Sequence, residues 1–109
     1  MKIYVLKTCD TCRKALKEIR ETGLEPHIID VRHDGIAVSD IALFHEVLGD
    51  QLINRRSTTW RGLSETERAT DSVDLLARFP TLMKRPVISV GGKLYLGWDA
   101  ETRNSVLAP

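Results

Sequence analysis

The sequence predicts an α/β domain in two halves, a β-α-β unit and a β-β-α unit, separated by a helical segment. Three observations carry this. The apolar pattern alternates between short strand-like runs and helix-spaced runs over residues 3–31. It holds a helical period, broken by capping and breaker residues, over roughly residues 38–80. It then returns to two short strand-like runs around a Gly-Gly pair.

Taken in order, Ile3-Tyr4-Val5-Leu6 is too short for a helix and rich in strand formers. Cys12, Ala15, Leu16 and Ile19 follow at helical spacing, and Gly23 supplies a stop. Pro26 to Val31 reads as a second strand, with Pro26 tolerated at its start. Strand, helix and strand in this order make a right-handed βαβ unit with parallel strands. His33-Asp34-Gly35 is a turn. The next helix is predicted to start at an N-cap Ser39, bury Ile41, Phe44 and Leu48, and stop at Gly49, with His45 on its solvated side.

Gln51–Arg56 reads as a short helix or turn, and Ser57–Leu63 as a loop. Ser64 and Glu67 match a capping box. Asp71 or Ser72 opens a further helix through Val73, Leu75, Leu76 and Phe79, which Pro80 ends. Val87–Val90 and Lys93–Leu96 flank Gly91-Gly92, a two-residue hairpin signal. Asp99 then caps a last helix carrying Val106 and Leu107. This order, with Cys-x-x-Cys after the first strand, is that of a thioredoxin-like fold with a helical insertion, in one domain spanning 1–109.

Composition excludes several functions. The chain is 42% apolar and 28% charged, with 16 basic and 15 acidic residues, so nothing in its balance favours direct nucleic-acid or membrane-surface binding. The sequence has no membrane-length apolar run and no signal-peptide pattern, so a cytoplasmic location is expected. There a two-cysteine motif is more often catalytic or sensory than structural.

Cys9 is the predicted nucleophile. It stands where a strand hands over to a helix N-terminus, where unpaired N–H groups and the helix dipole favour a thiolate. Lys7 and Arg13 add positive charge nearby. Two other readings stand beside this one. Structural zinc wants four ligands, and only two cysteines are present, with His27, His33 and His45 scattered. The pair could also be two small buried residues at a helix start. A phosphatase loop of the Cys-x5-Arg type is absent, because Ala15 stands where its arginine belongs.

Three stretches carry a closer resemblance: Thr8-Cys9-Asp10-Thr11-Cys12-Arg13-Lys14-Ala15, Leu52 to Arg61, and Lys84-Arg85-Pro86-Val87. On these the chain resembles the glutaredoxin-dependent arsenate reductases and their relatives, including Spx-type regulators and glutathione-dependent reductases. The resemblance implies Cys9 as nucleophile, Arg85 facing it, Arg13 in the first helical turn, and Pro86 as the cis-proline of thioredoxin-like folds. Lys7, Thr8, Arg13 and Pro86 are then expected to shape the binding mouth. Such a proline offers backbone for a peptide-like ligand such as glutathione, and a guanidinium holds thiolate, oxyanion or carboxylate.

Two features depart from the reductases. Of the three arginines the family sets around its anion, one falls at about Asn54 and another at about Leu96 or Gly97, leaving only Arg85. Charge-assisted bonds contribute about 1.5–3 kcal/mol each, so efficient arsenate reduction is not expected. Cys12 is the Spx-like feature and would resolve a disulfide on Cys9. The resemblance thus implies a thiol–disulfide oxidoreductase with glutathione as co-substrate, no tightly bound cofactor, no metal, and glutaredoxin as a candidate partner. Its alternative is an Spx-like regulator binding the RNA polymerase α subunit; such regulators are longer, with a C-terminal helical extension. Trp60 is expected to pack the insert onto the sheet, Trp98 to serve as core or cap, and Arg55-Arg56 to be solvated.

Overall fold

The computed structural model describes residues 1–108 and has a four-stranded mixed sheet at its centre. Strands β1 (Lys2–Val5), β2 (His27–Asp30), β3 (Val87–Val90) and β4 (Lys93–Leu96) lie in the order β2-β1-β3-β4. β1 pairs parallel with β2, as the βαβ reading requires, and antiparallel with β3, which pairs antiparallel with β4. Gly91 and Gly92 both take positive φ, +55° and +80°, the turn whose twist suits a two-residue hairpin.

Alternation along β1 divides the core into two layers. Ile3 and Val5 point to one face, where they meet Ala15 and Ile19 of α1 (Asp10–Glu21) and Val106 of α6 (Ala100–Leu107). Tyr4 points to the other, against Ile41 and Phe44 of α2 (Val38–Leu48) and Leu75 and Leu76 of α5 (Ser72–Arg78). The Tyr4 and Phe44 rings meet edge to face, centroids 4.8 Å apart. The helical insert is therefore the covering layer of one sheet face, held there by its apolar stripe.

Several sequence expectations need correction. Helix α2 starts at Val38, with Ala37 rather than Ser39 at the N-cap and no side chain capping it. The segment read as a loop contains a one-turn helix, α3 (Thr58–Arg61), because Ser57 Oγ accepts from the Trp60 N–H at 3.1 Å. Pro80 opens a 3₁₀ turn, Pro80–Leu82, as well as ending α5. His45 remains partly exposed and meets the exposed Asp50 through Nε2 at 2.9 Å. The Ser64–Glu67 capping box at α4 (Glu65–Arg68) and the caps by Asp71 and Asp99 form as the sequence indicates.

One long-range contact matters most for the site. Ile53 of the insert forms an isolated antiparallel bridge with Met83, with Asn54 N–H to Leu82 C=O at 2.8 Å and Lys84 N–H to Leu52 C=O at 2.7 Å. This bridge fastens Asn54 alongside the segment that leads into Arg85.

Candidate functional site

Cys9 is the N-cap residue of α1, with extended backbone (φ −85°, ψ 118°). Its amide donates to the Leu6 carbonyl at 2.9 Å, and its own carbonyl accepts from the Arg13 N–H at 3.1 Å. The preceding turn is braced by Asp30, only 5% exposed at the end of β2. Its carboxylate accepts from the N–H groups of Lys7 at 3.1 Å, Arg32 at 2.9 Å and His33 at 2.8 Å. The His33 N–H bond foremost, against the opposing effect of burial, holds this carboxyl below the usual aspartate range.

The two sulfurs differ in kind. Cys9 is half-buried and Cys12 is 1% exposed; both are free thiols. Burial works against a Cys9 thiolate. The Cys12 N–H and thiol, the charge of Arg85 and the Thr11 N–H outweigh it, so Cys9 ionises below an ordinary cysteine. Cys12 moves the opposite way, to about 12, chiefly through burial and partly because it donates to Cys9 and senses its charge. The two neighbouring groups thus diverge, with Cys9 the sulfur that ionises more readily and Cys12 the one that keeps its proton.

Cys9 opens into a cavity of about 440 Å³. Thr11 shares its α1 wall, Asn54 comes from the insert, Lys84 and Arg85 from the run into β3, and Leu96 to Asp99 from the turn after β4. Arg85 is half-buried, with Nη1 donating to the Thr81 and Met83 carbonyls at 2.8 Å each, while its buried Nε has no partner. The guanidinium is thus fixed by backbone rather than by a carboxylate, and its charge stays available to the cavity.

The Arg85-Pro86 bond is cis, and the Pro86 carbonyl accepts from the Gly97 N–H at 2.8 Å, which ties the β4 turn to this wall. Lys7 and Thr8, expected at the binding mouth, line a separate depression with Asp30 and His33. Arg13 sits on the exposed shoulder of α1, its Nε donating to the Lys7 carbonyl at 3.0 Å and Nη1 3.6 Å from Asp10. The cationic charge lowering Cys9 comes from Arg85, where sequence reasoning had also credited Lys7 and Arg13.

Of the predicted site residues, the structure brings Cys9 and Arg85 together over one cavity, with Cys12 beneath. Sequence reasoning missed Lys84, Thr11 and Asp99 as lining residues. Trp98, anticipated as core or cap, is buried in the core layer of Ile3 and Ile19 and also forms a wall of the cavity, its Nε1 hydrogen-bonded to Glu18 of α1. Asn54 and Leu96-Gly97, where two family arginines were expected to be replaced, do line the cavity. The cavity therefore offers an anion the two basic side chains Lys84 and Arg85, opposed by Asp99. Among the described residues no cluster of three or more metal-ligating side chains occurs.

Arg85→Met is expected to move the pH midpoint of Cys9 alkylation upward and slow iodoacetamide capture at pH 6.5 several-fold. Arg85→Lys, which keeps the charge without the two carbonyl bonds, should stay closer to the parent. An unchanged midpoint in Arg85→Met would remove Arg85 from the electrostatics of the sulfur.

Comparison with known proteins agrees with this architecture. A Haemophilus influenzae protein described only as uncharacterized is 36% identical over 111 residues, covering 97% of both chains. The global transcriptional regulator Spx of Streptococcus pyogenes is 25% identical over 97% of this chain and 84% of its own. Among solved structures, the YffB (PA3664) protein superposes with TM-score 0.89 at 29% identity over 97% of both chains. An arsenate reductase-related protein of Brucella melitensis superposes with TM-score 0.73 at 29% identity, covering all of this chain and 97% of its own. The ArsC family pattern matches residues 4–106, and with the Cys9 cavity built on the same frame the chain belongs to the ArsC family.

Proposed function

We propose that the chain is a thiol–disulfide oxidoreductase that takes glutathione as co-substrate, with Cys9 as nucleophile and Cys12 as resolving thiol. The observation that carries this is a partly exposed Cys9 at the head of α1, opening into a cavity that Arg85 also lines, with the buried thiol of Cys12 donating to it from beneath. The Cys9 thiolate attacks one sulfur of oxidised glutathione; a new S–S bond forms and a glutathione thiolate leaves. The charge of Cys9 is one of the influences keeping Cys12 protonated, and it disappears in the mixed disulfide. Cys12 can then lose its proton to solvent, attack Cys9 and release the second glutathione. Arsenate is disfavoured as substrate, since Asn54, Leu96 and Gly97 add no charge to the cavity and Asp99 repels a polyanion.

Mass spectrometry after incubation with oxidised glutathione tests the reading. A glutathionyl adduct on Cys9, or an internal Cys9–Cys12 disulfide, is expected. Two free thiols and no adduct would overturn it. The similarity to Spx favours a second reading, in which the same pair is a redox switch on a protein that binds the RNA polymerase α subunit. Redox-sensitive capture of the α C-terminal domain would place that reading first.

A further inference from the structure

We propose that the trough leading away from the Cys9 cavity docks acidic residues flanking a disulfide-bonded cysteine of a partner polypeptide; this rests on the thiol–disulfide reading of Cys9. A second depression of about 540 Å³, lined by Asp50, Asn54, Arg55, Arg56 and Lys84 among others, shares Asn54 and Lys84 with the Cys9 cavity. The two thus meet at Asn54 and Lys84. Arg85 lines the Cys9 cavity, Lys84 lines both, and Arg55 and Arg56 line the second depression.

The formal charge of the whole chain is only +1, yet four cations line this trough against two carboxylates. Among the described residues none of the four cations forms an ion pair. Both carboxylates have internal partners: Asp50 accepts from His45 at 2.9 Å, and Asp99 caps α6 by accepting from the Thr102 N–H at 2.8 Å. Both arginines are exposed, and the Arg55 guanidinium lies 5.3 Å from the Trp60 ring centroid. Guanidinium groups positioned in this way recognise carboxylates with two parallel hydrogen bonds. A nucleic-acid backbone fits less well, because it carries a charge at every nucleotide and these four cations offer only a short run to match it.

The partner's disulfide lies over Cys9 while its acidic flank reaches Arg55 and Arg56. The Cys9 thiolate forms a bond to the partner sulfur, and the old S–S bond breaks with departure of the other thiolate. Cys12, giving its proton to solvent, then displaces the reduced partner and closes the Cys9–Cys12 disulfide. Two electrons have passed to the partner, and a low-molecular-weight thiol returns them.

The test uses two synthetic peptides, each with one cysteine held as a mixed disulfide with thionitrobenzoate, flanked by glutamates in one and glutamines in the other. Release of thionitrobenzoate by the full chain reports attack by Cys9. The glutamate peptide is expected to react about ten-fold faster or more at low ionic strength, with the advantage shrinking as salt is added. Within the Arg55→Gln/Arg56→Gln variant, the ratio of the two rates should fall toward one. Arg56→Gln alone, which leaves the stack on Trp60 intact, should lower it part of the way. In Arg55→Glu/Arg56→Glu a lysine-flanked peptide should become the faster substrate. Equal rates for the two peptides in the parent, or a ratio untouched by these variants, would overturn the docking inference while leaving the chemistry of Cys9 standing. No release from either peptide above the level of Cys9→Ser would overturn both.

Discussion

Cys9→Ser is expected to form no glutathione adduct and to lose the alkylation that the parent shows below pH 7. A serine hydroxyl stays protonated throughout this range, so the thiolate-favouring surroundings of the Thr11 and Cys12 N–H groups and Arg85 act on a group that cannot ionise. The remaining cysteine does not compensate. Cys12 is 1% exposed and titrates at about 12, so its thiolate is scarce at neutral pH and its sulfur is covered. Cys12→Ser should behave differently, because a serine hydroxyl can still donate to the Cys9 sulfur. That variant should take up glutathione and hold it, since nothing within the chain then attacks the mixed disulfide. Alkylation followed by peptide mapping from pH 5 to 9 separates the two sulfurs. Equal capture of Cys9 and Cys12 at pH 6 would sink the assignment of roles.

Asp30→Ala is expected to destabilise the fold by about 2–4 kcal/mol, with the strongest local effect at residues 6–9. The substitution orphans the N–H groups of Lys7, Arg32 and His33 at the junction of β1 and β2. A buried donor left unsatisfied costs about 1–3 kcal/mol, and water can reach part of this turn, so the three losses do not simply add. Asp30→Asn keeps one acceptor oxygen but turns an NH₂ toward a donor, and should fall between parent and alanine. Urea unfolding gives the free energies. Amide exchange at Lys7 should rise further than exchange at Ile19 in the opposite layer.

The pH dependence has a definite sign. The folded-state carboxyl of Asp30 ionises below its unfolded value, so the stability it contributes is full above the usual aspartate range and lost as pH falls through the depressed folded value. Stability of the parent should therefore decline more steeply in acid than that of Asp30→Asn. Parallel declines would show that Asp30 does not carry this charge.

How far the site could be read in advance depended on the range of the forces that build it. Cys9 at a strand-to-helix junction, the Gly91-Gly92 turn and the Ser64–Glu67 box involve groups within a few residues of one another, and each formed as its local pattern required. Cap assignment failed at α2, where the apolar fit of Ile41 and Phe44 set the helix without help from Ser39. Nothing near Trp98 in the chain indicates Glu18, eighty residues away, as the partner of its indole. Lys84 resembled any exposed lysine until the Ile53–Met83 bridge placed Asn54 beside it.

By itself the sequence determined the order of elements and the two sheet halves around a helical segment, and it singled out Cys9 as the candidate nucleophile. Those follow from apolar period, turn chemistry and a sulfur at the head of a helix, all written in consecutive residues. Only the tertiary structure decided how Arg85 is anchored beside that sulfur, how the insert delivers Asn54 and Lys84 to the cavity, and that Asp30 braces the turn before Cys9. The last two rest on hydrogen bonds between segments far apart in the chain, Lys84 to Leu52 and Lys7 to Asp30. A pattern confined to neighbours in the chain carries no record of such partners, because packing of the two sheet faces selects them.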